Sequence, residues 1–579
     1  MESETRNCQN CKKDFIIDSE DFNFYEKIKV PPPTFCPECR LIRRMLWRNF
    51  RFLSKRICGL CNKKIISMYP EDKVKIVYCT DCWNSDKRNP LLEGRDYDFS
   101  KSFFEQFYEL QKETPLLFIY HSGFLLRSEY TNYSVDNKDC YLSFSIVGCE
   151  NVLYSEIIDN SKNSLDCYGG EKLEGCFFNI DCESNYNTHY AINSNKCIDS
   201  MFIFDCSNCQ NCFLSSNLRN QQYVFKNKKL TKEEYKKEIL KFQVNTYSGF
   251  NKCNKLFDRM VKDNSIHKYA HIVNSTNATG DYILNSKNII NSFDIKDSEN
   301  IKNSSRVLMN SKDCLDCCGI ASGELNYECT VCSFNTFKNF FCYICLGSRE
   351  SEYCLNSRNI SNCFGCIGLT NAQYCIFNKQ YRKEEYFKII EKIKKQMMEL
   401  PYISTRKNPS TGLGQVYKYG EFFPIELSPF AYNTCTVKSL LPAKKNEVLN
   451  MGYDWEEREK REYNITLDSS EIKDDISNID DSFIEEIIAC PNKGDQNYDC
   501  STGYKILPFE LQFYKKNKLP IPRYCPNCRY EQRLKYRNPV RLYLRKCMKE
   551  GCTNEFKTSY APERPETIYC ERCYQQEVY

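Results

Sequence analysis

Paired cysteines repeated at fixed intervals constrain this chain more than any other feature. Near the start four Cys-x2-Cys pairs follow one another: Cys8/Cys11, Cys36/Cys39, Cys58/Cys61 and Cys79/Cys82. Near the end stand Cys525/Cys528, Cys547/Cys552 and Cys570/Cys573, preceded by Cys490 and Cys500. From Cys11 to Cys36 is 25 positions, as from Cys500 to Cys525. Cys39 to Cys58 and Cys528 to Cys547 are both 19, and Cys61 to Cys79 and Cys552 to Cys570 are both 18. Three matching intervals mark the two ends as copies of one tandem module. The copies part at the first pair: Cys490 precedes Cys500 by ten positions and Cys8 precedes Cys11 by three, so an insertion must loop out if Cys490 is a ligand.

Four thiolates at tetrahedral distance suit zinc, a borderline-soft ion with no geometric demand of its own. Iron–sulfur ligation competes less well with paired, widely separated knuckles. The four histidines (His121, His189, His267 and His271) lie outside the modules, so the sites should be all-sulfur, closed and structural, about four zinc ions in total. A serial pairing is expected, Cys8, Cys11, Cys36 and Cys39 on one ion and Cys58, Cys61, Cys79 and Cys82 on the next. Interleaved, cross-braced pairing is the alternative.

The segment Cys8-Gln-Asn-Cys11-Lys-Lys-Asp-Phe15, with Phe24-Tyr25-Glu26-Lys27, Pro33 and Cys36-Pro37-Glu38-Cys39-Arg40, resembles the zinc-ribbon, treble-clef-like domain family. Glu510 to Tyr514, Pro520-Ile521-Pro522 and Cys525-Pro-Asn-Cys528-Arg529 resemble it again. That resemblance implies a small zinc fold over roughly forty residues at each end and brings no activity with it. The overall layout is similar to that of large proteins labelled as CaiB/BaiF-family CoA-transferases. No dinucleotide-like fold pattern or CoA-binding signature in the sequence supports that activity.

The other 22 of the 38 cysteines fall in the middle. With no secretory signal and no apolar run long enough to span a bilayer, a cytoplasmic protein is expected, its thiols reduced and buried or metal-bound rather than disulfide-linked. Between about Leu125 and Gln380, short β-prone pieces such as Asp139–Ser145, Gly175–Asp181 and Asp199–Asp205 recur every eleven to thirteen residues, with Asn, Asp, Ser and Gly between them. This pattern predicts a parallel β-helix with two strands per coil of roughly twenty-two residues. It is duplicated: Asn211-Cys212-Phe213 to Tyr235 recurs 151 positions later as Asn362-Cys363-Phe364 to Tyr386. Each half ends in a helix expected to cap the open edge. Residues three apart on an extended strand face opposite ways, so cysteines such as Cys206/Cys209 and Cys329/Cys332 read as stacked core residues rather than knuckles.

The expected class is thus mainly β: a central duplicated parallel β-helix (β-solenoid) with capping helices, flanked at both ends by tandem four-cysteine zinc-ribbon modules. The expected domains are a tandem zinc-ribbon module over 1–95, a helical connector over 96–120, β-helix halves with caps over 121–245 and 246–400, an irregular linker with an acidic segment over 401–488, and a second module over 489–579. That acidic segment, Glu471 to Glu486, is expected to hold a short helix.

Basic charge concentrates at the ends. Nineteen Lys/Arg stand against thirteen Asp/Glu over 1–95, and sixteen against eight over 500–579. Arg40, Arg44 and Arg48 would line one helical face, and Arg529, Arg533 and Arg537 repeat them in register. Guanidinium groups pair with phosphates and aromatic rings stack on bases, so these six are candidate nucleic-acid contacts. The function expected is that of a non-enzymatic zinc protein binding RNA or DNA, with a protein–protein scaffold as the alternative. A carbohydrate-cleaving β-helix enzyme ranks below both, because no catalytic constellation stands out.

Overall fold

The computed structural model describes residues 2–407, 412–457 and 462–579. The described chain is mainly β, with cysteine clusters at both ends. Its middle holds two sets of short parallel strands, the first from His121–Leu126 to Gln222–Phe225 and the second from Ile272–Val273 to Gln373–Ile376. In the first set, Lys162–Leu165 pairs with both Glu150–Leu153 and Phe177–Glu183, which closes a ring of seven strands.

Register shows how the chain travels. Glu150 pairs with Lys162, Glu156 with Tyr168 and Gln210 with Gln222, each twelve residues on. The second set keeps the same step, as in Tyr343 with Leu355, with single-residue adjustments such as Glu299 with Lys312. The chain therefore returns over itself every twelve residues, not every twenty-two. The reason is local. Every third residue takes the left-handed conformation, for example Asn151, Tyr154, Ile157, Asn160, Asn163 and Asp166 with φ between 47° and 60°. Asn, Asp and Gly tolerate that region, which explains their density here.

A turn at every third residue has a second effect: the residue after each turn points inward on every side. Val152, Ser155, Ile158, Ser161, Ser164 and Cys167 form one such series and are fully buried. The middle cysteines are buried, as expected, but through this three-residue turn and not through strand alternation. Cys206, Cys209 and Cys212 face the same interior, where period-two geometry would have split them between two faces. Small residues with one donor fit there because each satisfies backbone groups of adjacent coils. Ser155 Oγ donates to the Leu153 carbonyl at 2.9 Å and accepts from the Cys167 amide at 3.0 Å. Cys345 Sγ lies 3.2 Å from the Cys354 carbonyl. Outside, amide ladders such as Asn277–Asn288–Asn300 tie successive turns.

The helices Lys232–Leu240 and Lys383–Glu399 follow the last strand of each set. Tyr235 packs edge-on to Tyr223, and Tyr386 does the same to Tyr374. In the acidic run, short 3-10 turns at Ser469–Glu471, Ile476–Asn478 and Asp481–Glu485 replace the expected helix. Asp468, Asp475 and Asp480 accept from backbone amides two residues on, and this local bonding competes with helix formation.

Candidate metal centre

Each end carries two sites built alike. In the first, a hairpin of Glu4–Asn7 and Asp14–Ile17 holds Cys8 and Cys11 at its turn. Cys36 then caps the helix Pro37–Met45, which places Cys39 in its first turn. The hairpin Ser54–Ile57/Lys64–Ser67 and the helix Thr80–Trp83 repeat this for Cys58, Cys61, Cys79 and Cys82. At the C-terminal end Cys525 caps Pro526–Leu534 and Cys570 caps Glu571–Val578. Amides at a helix N-terminus favour negative charge, so the second pair of thiolates in every site sits where the backbone stabilises it.

The cysteines gather serially. Cys8, Cys11, Cys36 and Cys39 form one group, Cys58, Cys61, Cys79 and Cys82 the next, then Cys490, Cys500, Cys525 and Cys528, then Cys547, Cys552, Cys570 and Cys573, with the sulfurs of each group within 4.8 Å of one another. The Cys490 ligand is thus in place despite its insertion. Neighbouring sulfurs stand 3.6 Å apart for Cys11 and Cys36, 3.8 Å for Cys61 and Cys79, and 3.9 Å for Cys552 and Cys570. A tetrahedron with Zn–S bonds of about 2.3 Å has edges of about 3.8 Å. None of these cysteines is in a disulfide. The donor set fits about four structural zinc ions, each closed by four sulfurs with no position left for substrate.

A common set of hydrogen bonds orients the ligands. The amides of Cys36, Cys79, Cys525 and Cys570 point at the first sulfur of their site, Cys8, Cys58, Cys490 and Cys547, at 3.2 to 3.4 Å. At the first site of each end an asparagine amide adds a donor to the last sulfur: Asn10 to Cys39 at 3.4 Å and Asn492 to Cys528 at 3.1 Å. Such outer partners hold thiolates in place and offset their charge.

The arginines expected on a nucleic-acid surface are interior instead. Arg40, Arg44, Arg48, Arg529 and Arg533 are each at most 5% exposed. Arg40 reaches Asp316 at 2.8 Å, and Arg44 reaches the same carboxylate at 3.4 Å. Their counterparts Arg529, at 2.8 Å, and Arg533 both reach Asp166. Arg43 makes a two-pronged bond to Glu328 and a third to Glu421. Arg537 lies between Asp181 and Asp294, whereas Arg48 lies 2.8 Å from the Cys318 sulfur and over the Phe50 ring. Burial pushes Glu328 and Glu510 above the ordinary carboxylate range, against the pull of the arginines beside them. The six candidate arginines are therefore engaged by the chain's own carboxylates, sulfur and rings.

The acids on the far side of these pairs were missed from sequence, although a signal exists. Leu165-Asp166-Cys167 and Leu315-Asp316-Cys317 are the same tripeptide in the two copies of the middle, so the arginine and its partner were duplicated together.

No family model matches this chain, and no curated protein matches it. Among solved structures, one described as a "putative acetyltransferase from Desulfovibrio desulfuricans G20" aligns over 52% of this chain and 78% of its own, at 10% identity and a TM-score of 0.13. That score supports no inference about fold or function. Among the described residues no helix is long and apolar enough to cross a membrane.

Proposed function

We propose that this chain is a non-enzymatic zinc-binding scaffold whose modules act inward, clamping two parallel β-helices into one rigid body for protein partners to dock on. The β-helix reading is supported by the twelve-residue register and by the inward-facing residue after every turn. One observation carries the functional reading: the duplicated arginines meet duplicated buried acids, Arg40 and Arg44 on Asp316, Arg529 and Arg533 on Asp166. Buried charge pairs of this kind need both partners to stay, because removing one strands the other without solvent. Contact with RNA or DNA through these arginines is disfavoured by the same burial.

Changing Arg44, Arg48, Arg533 and Arg537 to glutamine separates the two readings. The clamp reading expects a large loss of stability with no change in retention of mixed RNA or single-stranded DNA at low salt. The nucleic-acid reading expects the reverse: unchanged stability, and a salt-sensitive binding by the wild type that the variant loses.

A further inference from the structure

One cavity belongs to none of the zinc sites. It holds about 410 Å³ where the first parallel set, the helix Tyr247–Arg259 and the segment after the helix Pro526–Leu534 meet. That volume lies within the range of small-molecule pockets. Its lining includes two stacked ring pairs, Phe178 on Tyr190 at 4.2 Å and 7°, and His271 on Tyr282 at 4.6 Å and 11°. Beside the N-terminal module Trp47, in register with Tyr536, packs against Tyr343 and Phe423.

Asn254 and Asn538 are among the residues that line this space. Lys255, Lys262 and Lys535 line it too, are exposed, and have no carboxylate partner among the described residues. Deeper in, Arg537 is already paired with Asp181 and Asp294, and His271 with Asp281, while Asp258 accepts from the Tyr536 hydroxyl and Arg523 donates to the Ser469 and Ile472 carbonyls.

We propose that this cavity binds a mononucleotide. Its planar heterocycle lies against the aromatic walls and its phosphate meets the lysines at the mouth. A neutral flat head and an anionic tail match the aromatic wall and the cationic mouth.

Calorimetric titration of the zinc-loaded full chain with AMP, GMP, CMP and UMP tests this, with adenosine and inorganic phosphate as separate arms. At least one mononucleotide should bind saturably below about 1 mM, more tightly than the nucleoside or phosphate alone. The double variant Lys255→Glu/Lys262→Glu changes only exposed side chains and should weaken binding at least about tenfold. The proposal is overturned if none of the four binds in that range, if the double variant binds as tightly as the wild type, or if phosphate alone binds as well as the nucleotide.

Discussion

Asp166 and Asp316 stand 150 positions apart and do the same work, each holding two arginines inside the protein. Asp166→Asn would leave Arg529 and Arg533 buried with half their compensation, at a cost of about 3–5 kcal/mol. Asp181→Asn should cost less, since Arg537 keeps Asp294. Denaturant unfolding checks both, and a loss for Asp166→Asn below about 1 kcal/mol would mean the pairs are incidental. His189 gives a pH signature. Burial pushes it down to about 4 from 6.5. Between those values the unfolded chain binds the proton and the folded chain does not, so stability falls as pH drops through that window, by up to about 3 kcal/mol. Its Nδ1 has no partner. His189→Leu should therefore flatten the acid limb of the stability–pH curve, and an unchanged limb would assign the acid sensitivity elsewhere.

At the scale of the element, the cysteine intervals predicted all four metal groups, because ligand spacing in a hairpin-plus-helix site is fixed by short-range geometry. Cys490 was legible for the same reason: its partners' intervals left one ligand missing. The recurrence of eleven to thirteen residues was legible but was read as half a coil, since a full return in twelve residues depends on left-handed turns at residues like Tyr154 and Ile157, which have no turn propensity of their own. Period-two strand reasoning consequently misdirected the cysteines while reaching their burial. The interior sets small donors among Val, Ile and Leu at fixed places. Cys167→Ser should be mild because serine already fills equivalent positions such as Ser155 and Ser164. Cys167→Leu should overpack the coil by about 1–3 kcal/mol. Interior thiols should also alkylate slowly in the folded protein: burial pushes Cys140 up to about 11 and Cys149 and Cys176 up to about 12, which leaves little thiolate at neutral pH. Rapid labelling of these three without unfolding would contradict the packing described.

Across the whole molecule the connections cross. The helix Pro37–Met45 of the N-terminal module packs its arginines on the second parallel set, while the strand Val77–Tyr78 of the same module pairs with Leu116–Leu117 just ahead of the first set. At the other end, Pro526–Leu534 serves the first set and Thr567–Tyr569 pairs with Ile266–Lys268 ahead of the second. Each tandem module thus bridges both sets, and the two bridges are related by the duplication. Loading should be close to four zinc ions per chain by elemental analysis, and two or fewer would contradict the site geometry. The crossed clamp is most directly tested by hydrogen exchange on Cys39→Ser and Cys528→Ser. Cys39→Ser should lower amide protection around Asp316 and Glu328, far along the chain, and spare the region of Asp166. Cys528→Ser should do the opposite. Loss confined to the mutated module, or spread equally over both sets, would contradict it.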